Sequence, residues 1–223
     1  IFEHAIDTVI FMFNTNTTPF NVTATNMSGN WSANVNVTHI VEGHHIMTVF
    51  SNDTSSNVNQ SVTIGFTVDR TAPNTTSIIF NASSSNNYTT DTLTCYAKGE
   101  DNLMKTLTAY YEIYGNVAGA PNLLYSSGSV SVTNGTIISI INVSSPNLVV
   151  GEYWNCSVKF YDGFTNESEW NNHSVTIRGI TAGDTLTSDL TLTSDVTCSG
   201  DCLIIGGDNV TLNLGGNSIT GNG

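Results

Sequence analysis

Charged side chains are what this sequence has least of. Lys and Arg number 5 and Asp and Glu 18 among 223 residues, which makes 10% charged residues and a formal net charge of −13. Five cations cannot neutralise a run of phosphates, so nucleic acid and anionic lipid are excluded as partners. Total charge this low also sets the chain apart from salt-adapted acidic proteins and leaves the negative balance as a device of solubility. No run approaches the roughly 18 apolar residues of a membrane helix, so no membrane contact is expected from these residues, and no secretory leader pattern is visible. Across residues 1–69 no convincing 3.6-residue apolar period marks an amphipathic helix. The chain also lacks a Ser-His-Asp arrangement, a phosphate-cradling Gly loop and a zinc constellation.

Asn, Ser and Thr are abundant, beside 39% apolar residues. Short alternating apolar runs between clusters of Asn, Ser, Asp and Gly predict an all-β protein. Three segments are expected: 1–72, 73–178 and 179–223. The chain opens on Ile1 and stops at Gly223 inside a repeat, which reads as a piece of a longer protein.

In the first segment, strands are expected at Thr8 to Phe13, Phe20 to Thr25, Trp31 to Val37, His45 to Phe50 and Ser61 to Val68. Val62, Ile64, Phe66 and Val68 alternate with polar or small residues, the signature of a half-buried strand. The run from Ser28-Gly29-Asn30-Trp31 to Val68-Asp69 resembles the later strands of a bacterial or archaeal surface Ig-like module. That resemblance implies an incomplete β-sandwich with an exposed edge. Asp69-Arg70-Thr71-Ala72-Pro73 resembles the joint between tandem modules of this kind; Pro73 fixes its φ and holds Ala72 extended.

The second segment carries expected strands at Thr75 to Phe80, Thr92 to Ala97, Thr106 to Tyr114, Leu123 to Ser126, Ser129 to Thr133, Thr136 to Val143, Tyr153 to Tyr161 and His173 to Ile177. Alternation places Cys95 and Cys156 on buried faces, where a disulfide would pin two sheets; two free buried thiols are the alternative. Gly151-Glu152-Tyr153-Trp154-Asn155-Cys156-Ser157-Val158 and Tyr161-Asp162-Gly163 resemble a signature of archaeal surface Ig-like repeats, with Ile113 where antibody-type domains carry a core aromatic.

After Gly179 the composition shifts to Thr, Leu, Asp and Gly. Thr185 to Val196 alternates as a capping strand pair would, and Leu203-Ile204-Ile205, Val210 to Leu214 and Ser218 to Thr220 read as short strands. Asp208 through Gly221 resembles the first coil of a right-handed parallel β-helix of the pectate-lyase-like and NosD-like kind. Cys198 and Cys202 are close enough for a small disulfide; a lone C-x3-C is a poor zinc site.

Sixteen Asn-x-Ser/Thr acceptors can be read, among them Asn16 and, as the glycosylation candidates, Asn30, Asn36, Asn52, Asn81, Asn134, Asn142, Asn155, Asn166 and Asn172. Such density, with paired cysteines, resembles archaeal cell-surface proteins and implies an extracellular or cell-surface location. No catalytic residue and no cofactor is assigned. Calcium is weighed at Asp53, Ser55, Asn57 and Asn59, which alternate oxygen ligands but lack the sixth-position Gly and closing Glu of a calcium loop, and at Asp69. His44 and His45 are adjacent on a strand and point to opposite faces. Tyr110, Tyr111, Tyr114, Tyr125, Tyr161, Trp154 and Trp170 offer either sugar-stacking rings or core packing. Glu167 and Glu169 flank Ser168 as a carboxylate pair on one face of a loop.

Two functions are therefore weighed. One is a noncatalytic secreted or surface protein whose Ig-like stalk presents a β-helix for adhesion, glycan contact or envelope assembly, with carbohydrate or another surface protein as partner. The other, implied by the β-helix resemblance, is a polysaccharide lyase or hydrolase whose active site lies beyond Gly223. The NosD-like resemblance would also imply copper delivery, but no Met or His cluster supports it.

Overall fold

The computed structural model describes residues 5–15, 18–84, 86–115, 122–144 and 148–221. All regular structure in them is β, in two compact units, Ile1–Arg70 and Thr71–Gly223. Asn16 lies outside the described residues.

In the first unit, β1 (Ile6–Asn14), β2 (Phe20–Thr23), β5 (Gly43–Asp53) and β6 (Val58–Val68) form an antiparallel sheet in the order β2-β1-β5-β6, and β3 (Thr25–Met27) pairs with β4 (Asn30–Ser32). Val9, Phe13, Ala24, Ile40 and Val68 are buried, with Phe13 stacked on Phe20 at 4.8 Å and set edge-on to Phe66 at 5.7 Å. The alternation in β6 is only half realised. Phe66 and Val68 are covered, while Val62 and Ile64 stay 49% and 48% exposed, because no second sheet lies over that half of the strand among the described residues.

The expected strand from Trp31 to Val37 ends at Ser32. Its Asn-Val alternation looks extended, but β4 pairs with β3 only through Ser32, and the Asn36 side chain then accepts from the Thr38 amide and hydroxyl at the following turn. Arg70 then holds the loop, donating to the carbonyls of Val37 and Ile40.

The second unit begins with a two-layer sandwich. β9 (Thr106–Gly115), β10 (Leu123–Thr133), β12 (Tyr153–Tyr161) and β13 (Asn171–Thr176) form one sheet in the order β10-β9-β12-β13. β7 (Asn74–Ala82), β8 (Leu93–Glu100) and β11 (Ile138–Val143) form the other, in the order β11-β8-β7. Alternation in β8 sends Leu93, Cys95, Ala97 and Gly99 inward, where they meet Leu107, Ile113, Trp154, Val158 and Phe160 in one core. Cys95 and Cys156 are disulfide-bonded across the two sheets, their Cα atoms 6.3 Å apart. Two glycines serve close packing: a Cβ on Gly99 would come within 2.6 Å of the Phe160 ring, and one on Gly115 within 2.8 Å of Trp154. Leu123–Thr133, expected as two strands, is one strand that absorbs the break as a bulge between Leu124 and Ser126.

Beyond the sandwich, six short strands wind through two successive turns. β14 (Asp184–Leu186) pairs in parallel with β17 (Leu203–Ile205), β15 (Leu190–Thr191) with β18 (Leu212–Asn213), and β16 (Val196–Cys198) with β19 (Ile219–Gly221). Leu186, Leu190, Leu192 and Val196 form a small core with Tyr88, and Leu203, Val210, Leu212 and Ile219 pack against it. The capping strand pair expected over Thr185 to Val196 is thus absent. Bends at Ser188 and at Thr193-Ser194 break the run, and each part pairs with the turn that follows. Asp189 accepts from the Thr211 amide at 2.6 Å, and Asp195 from the Ser218 amide at 2.7 Å. Cys198 and Cys202 form the second disulfide beside this stack.

Candidate functional site

The acidic residues most suggestive of chemistry are used as structural acceptors. Glu167 is 8% exposed. One of its oxygens accepts from the Thr75 amide at 2.7 Å and the Asn171 side chain at 2.9 Å, the other from the Thr75 hydroxyl at 2.7 Å and the Phe160 amide at 3.2 Å. It joins β7 of one sheet to β12 of the other. Glu169 is exposed, so the two carboxylates expected on one face do not converge. Glu152 accepts from the Val149 amide and from the indole of the fully buried Trp154. Asp91, 4% exposed, gathers the amides of Ser84 and Tyr88 and the hydroxyls of Ser83 and Ser84.

Other sequence candidates take equally local roles. Asp53 accepts from the amides of Ser55 and Asn57 and from the Asn57 side chain, closing the turn between β5 and β6, while Asn59 accepts from Ser61 inside β6. His44 meets the Thr67 hydroxyl at 2.8 Å on the exposed side, and His45, 3% exposed, meets the Val41 carbonyl at 2.8 Å. Within the second unit, carboxylate oxygens of Asp101 and Asp162 approach within 4.8 Å.

Most acceptor asparagines stand clear of the core: Asn30, Asn36, Asn81, Asn142, Asn166 and Asn172 are exposed, and Asn52, Asn134 and Asn155 half-buried. Asn134 is committed to its own backbone. Its amide nitrogen donates to the carbonyls of Asp101 and Met104 at 2.6 and 2.7 Å, and its oxygen accepts from the Asp101 amide.

The aromatic residues separate into two sets. Trp154 is core, Tyr125 packs edge-on against it at 5.1 Å, and Tyr111 leans on the same cluster. Tyr110, Tyr161 and Trp170 gather on the outer face of the β10-β9-β12-β13 sheet. Register aligns Ser129, Tyr110 and Lys159 across three strands, and one row along it aligns Ser127, Glu112, Ser157 and Asn172. The Lys159 ammonium lies 4.8 Å from the Trp170 ring centre, and the Tyr110 and Tyr161 rings are 6.4 Å apart. Tyr110, Glu112, Ser127, Ser129, Lys159, Asn166 and Trp170 are among the residues lining an open trough of about 530 Å³. Glu112 accepts from the Tyr114 hydroxyl at 2.6 Å, and that bond, then burial, raises the Tyr114 pKa. The alternation of β9 and β12 was legible, but the register that aligns them was not.

A second cluster, at Arg178, had no signal in the sequence beyond the scarcity of cations. Arg178 follows β13 and donates to the carbonyl and side chain of Asn86, to both oxygens of Asp184 at 2.9 and 3.2 Å, and to Thr181. Its guanidinium also stands 5.1 Å from the Tyr88 ring centre. Burial works to raise the Asp184 pKa, but hydrogen bonds from the Thr181 amide and Arg178 outweigh it and hold the carboxyl below its usual range. Burial, followed by the neighbouring Asp184, raises the Tyr88 phenol. The cluster clasps the sandwich to the parallel-stranded turns.

No known family profile matches the chain, and no curated protein matches it in sequence. Among solved structures, it is similar to the tetra-tandem repeat in the extending region of a large adhesion protein, at 14% identity and a TM-score of 0.35 over 78% of this chain and 43% of that one. It is also similar to a 1.5-MDa bacterial ice-binding adhesin, at 15% identity and a TM-score of 0.36 over 84% of this chain and 60% of that one. The chain thus spans about half the length of these solved chains.

Proposed function

We propose that this chain is part of a noncatalytic, extracellular or cell-surface stalk, in which Ig-like modules carry the first coil of a right-handed parallel β-helix. The observation that carries the reading is how the second unit is pinned. A disulfide crosses its two sheets, Glu167 joins the same sheets at one end, and Arg178 clasps the following turns. Such bonding supports a rigid spacer, and a disulfide across a core suits an oxidising compartment. The strand orders β11-β8-β7 and β10-β9-β12-β13, with the disulfide between β8 and β12, support the Ig-like assignment. Three parallel pairs around one apolar core support the β-helix coil. The segments 1–72, 73–178 and 179–223 are then the successive parts, and the exposed acceptor asparagines are the candidate glycan carriers.

The enzyme alternative places its active site beyond Gly223; within the second unit, Glu167 is consumed in holding the fold. Labelling of intact source cells with antibody to this chain is expected to succeed without permeabilisation. Incubation of the purified chain with acidic and neutral polysaccharides is expected to release neither unsaturated uronates nor new reducing ends. Labelling only after permeabilisation, or product release, would overturn the proposal.

A further inference from the structure

We propose that the trough on the outer sheet of the second unit is a binding site for short, neutral, pyranose-based oligosaccharides. It is built from three kinds of group that such a ligand needs together. The first is aromatic surface: Tyr110 and Trp170 both line the trough and both are half-exposed, with Tyr161 beside Tyr110 on the same face. The apolar face of a pyranose ring packs on such surfaces, as aromatic rings pack on one another.

The second is a ladder of polar groups at strand spacing. Ser129 stands opposite Tyr110 and Ser127 opposite Glu112, so hydroxyls and a carboxylate repeat along the sheet at about 7 Å, two residues of a strand. That repeat lets hydroxyls of neighbouring sugars find partners in sequence. The third is balanced charge. Lys159 and Glu112 face the trough together, which favours a neutral ligand over a polyanion, and the net charge of −13 repels polyanions further.

Size and rigidity agree. About 530 Å³ falls within the range of small-molecule sites, roughly 300–1,000 Å³. The rings are fixed before any ligand arrives: Lys159 sits over Trp170, and the hydroxyl of Tyr161, beside Tyr110, donates to the Gly163 carbonyl at 2.6 Å. Little ordering remains to oppose binding. This deepens the surface-stalk reading by giving the stalk a ligand class. It rests on that reading for where the ligand is met, but not for the contact itself.

The test uses the whole chain, produced in a host that adds no glycan, so that nothing attached at Asn166 competes at the margin. Cellotriose, mannotriose and N,N′,N″-triacetylchitotriose are titrated while ¹⁵N–¹H shifts and tryptophan emission are followed. At least one trisaccharide is expected to saturate with a Kd on the order of 1 mM, with shifts confined to β9, β10, β12 and the Trp170 loop. Trp170→Ala is expected to weaken it about 10-fold, Tyr110→Ala to weaken it as well, and Trp170→Phe to restore most of it. Near-ultraviolet dichroism from the buried Trp154 reports that each variant is folded. Absence of saturation with all three sugars would overturn the site, as would Trp170→Ala binding like the parent or tighter binding of heparin than of any trisaccharide. Because the titration uses purified protein, such a failure leaves the surface location, tested by labelling of cells, standing or falling by itself.

Discussion

Glu167 gives the sharpest test of the view that the buried carboxylates are fastenings and not catalysts. Its two oxygens receive four donors, two of them the backbone amides of Thr75 and Phe160. Glu167→Ala removes every acceptor at once. Thr75 and Asn171 side chains can turn toward water, but the two amides are left without partners, and each buried orphan costs about 1–3 kcal/mol. The expected loss is about 3–4 kcal/mol. Glu167→Gln is milder for a specific reason. Its oxygen can keep the Thr75 amide and Asn171, and its nitrogen can donate to the Thr75 hydroxyl, so only the Phe160 amide faces another donor. That costs about 1–2 kcal/mol. Urea unfolding followed through Trp154, in a background with Trp31→Phe and Trp170→Phe, reads the second unit alone. With a slope of about 2 kcal/mol/M, the midpoints should fall by about 1.5–2 M for Ala and less than 1 M for Gln. Glu169→Gln, on an exposed side chain, should not move the midpoint. Equal costs for Gln and Ala, or costs below about 0.5 kcal/mol for both, would refute the reasoning.

Replacing both Cys95 and Cys156 by Ala is expected to cost about 4 kcal/mol in the same assay, since their 61-residue separation sets the loop entropy restored to the unfolded chain; a loss under 1 kcal/mol would put the pinning elsewhere. The pH response follows from Asp184 and Asp195, both held below their usual range, Asp195 by the amide and hydroxyl of Ser218. A depressed folded pKa stabilises fully above the unfolded value of about 3.9 and is lost as pH falls through the folded value. Hydrogen exchange in β14 to β19 should therefore be constant from neutral pH to about 5, after correction for intrinsic rates, and protection should decline below about 4. Asp195→Asn should shrink that decline, and an unchanged profile would contradict the assignment.

The all-β class was legible because alternation survives in single strands. Val62 to Val68, Leu93 to Ala97 and Tyr153 to Tyr161 each announce two faces, and each is a strand. What alternation cannot tell is which neighbour a strand takes. Thr185 to Val196 alternates as a hairpin would, yet its parts pair with residues about 20 positions later, because Asp189 and Asp195 cap the amides of the next turn. The trough shares this limit, since Tyr110, Lys159 and Ser129 become neighbours only through register. Trp31 to Val37 shows the opposite failure, where a run that alternates well pairs only as far as Ser32.

The scarcity of cations sharpens the meaning of the two arginines. In a surface kept soluble by Asn, Ser and Thr, guanidinium groups are not needed as general solvating charge. Arg70 stands at the end of the first unit, where it donates to the Val37 and Ile40 carbonyls and its amide donates to Glu42. Arg178 stands where the sandwich gives way to the parallel turns, and donates to Asn86, Thr181 and Asp184. Both occur where the chain leaves a folded layer and carbonyl groups lack strand partners. A planar group with five donors satisfies several such acceptors from one side chain, which a lysine ammonium does with less directional control. The arginines thus act where backbone pairing runs out. Lys159 instead serves the outer sheet face, where a cation over an indole holds the Trp170 ring in place.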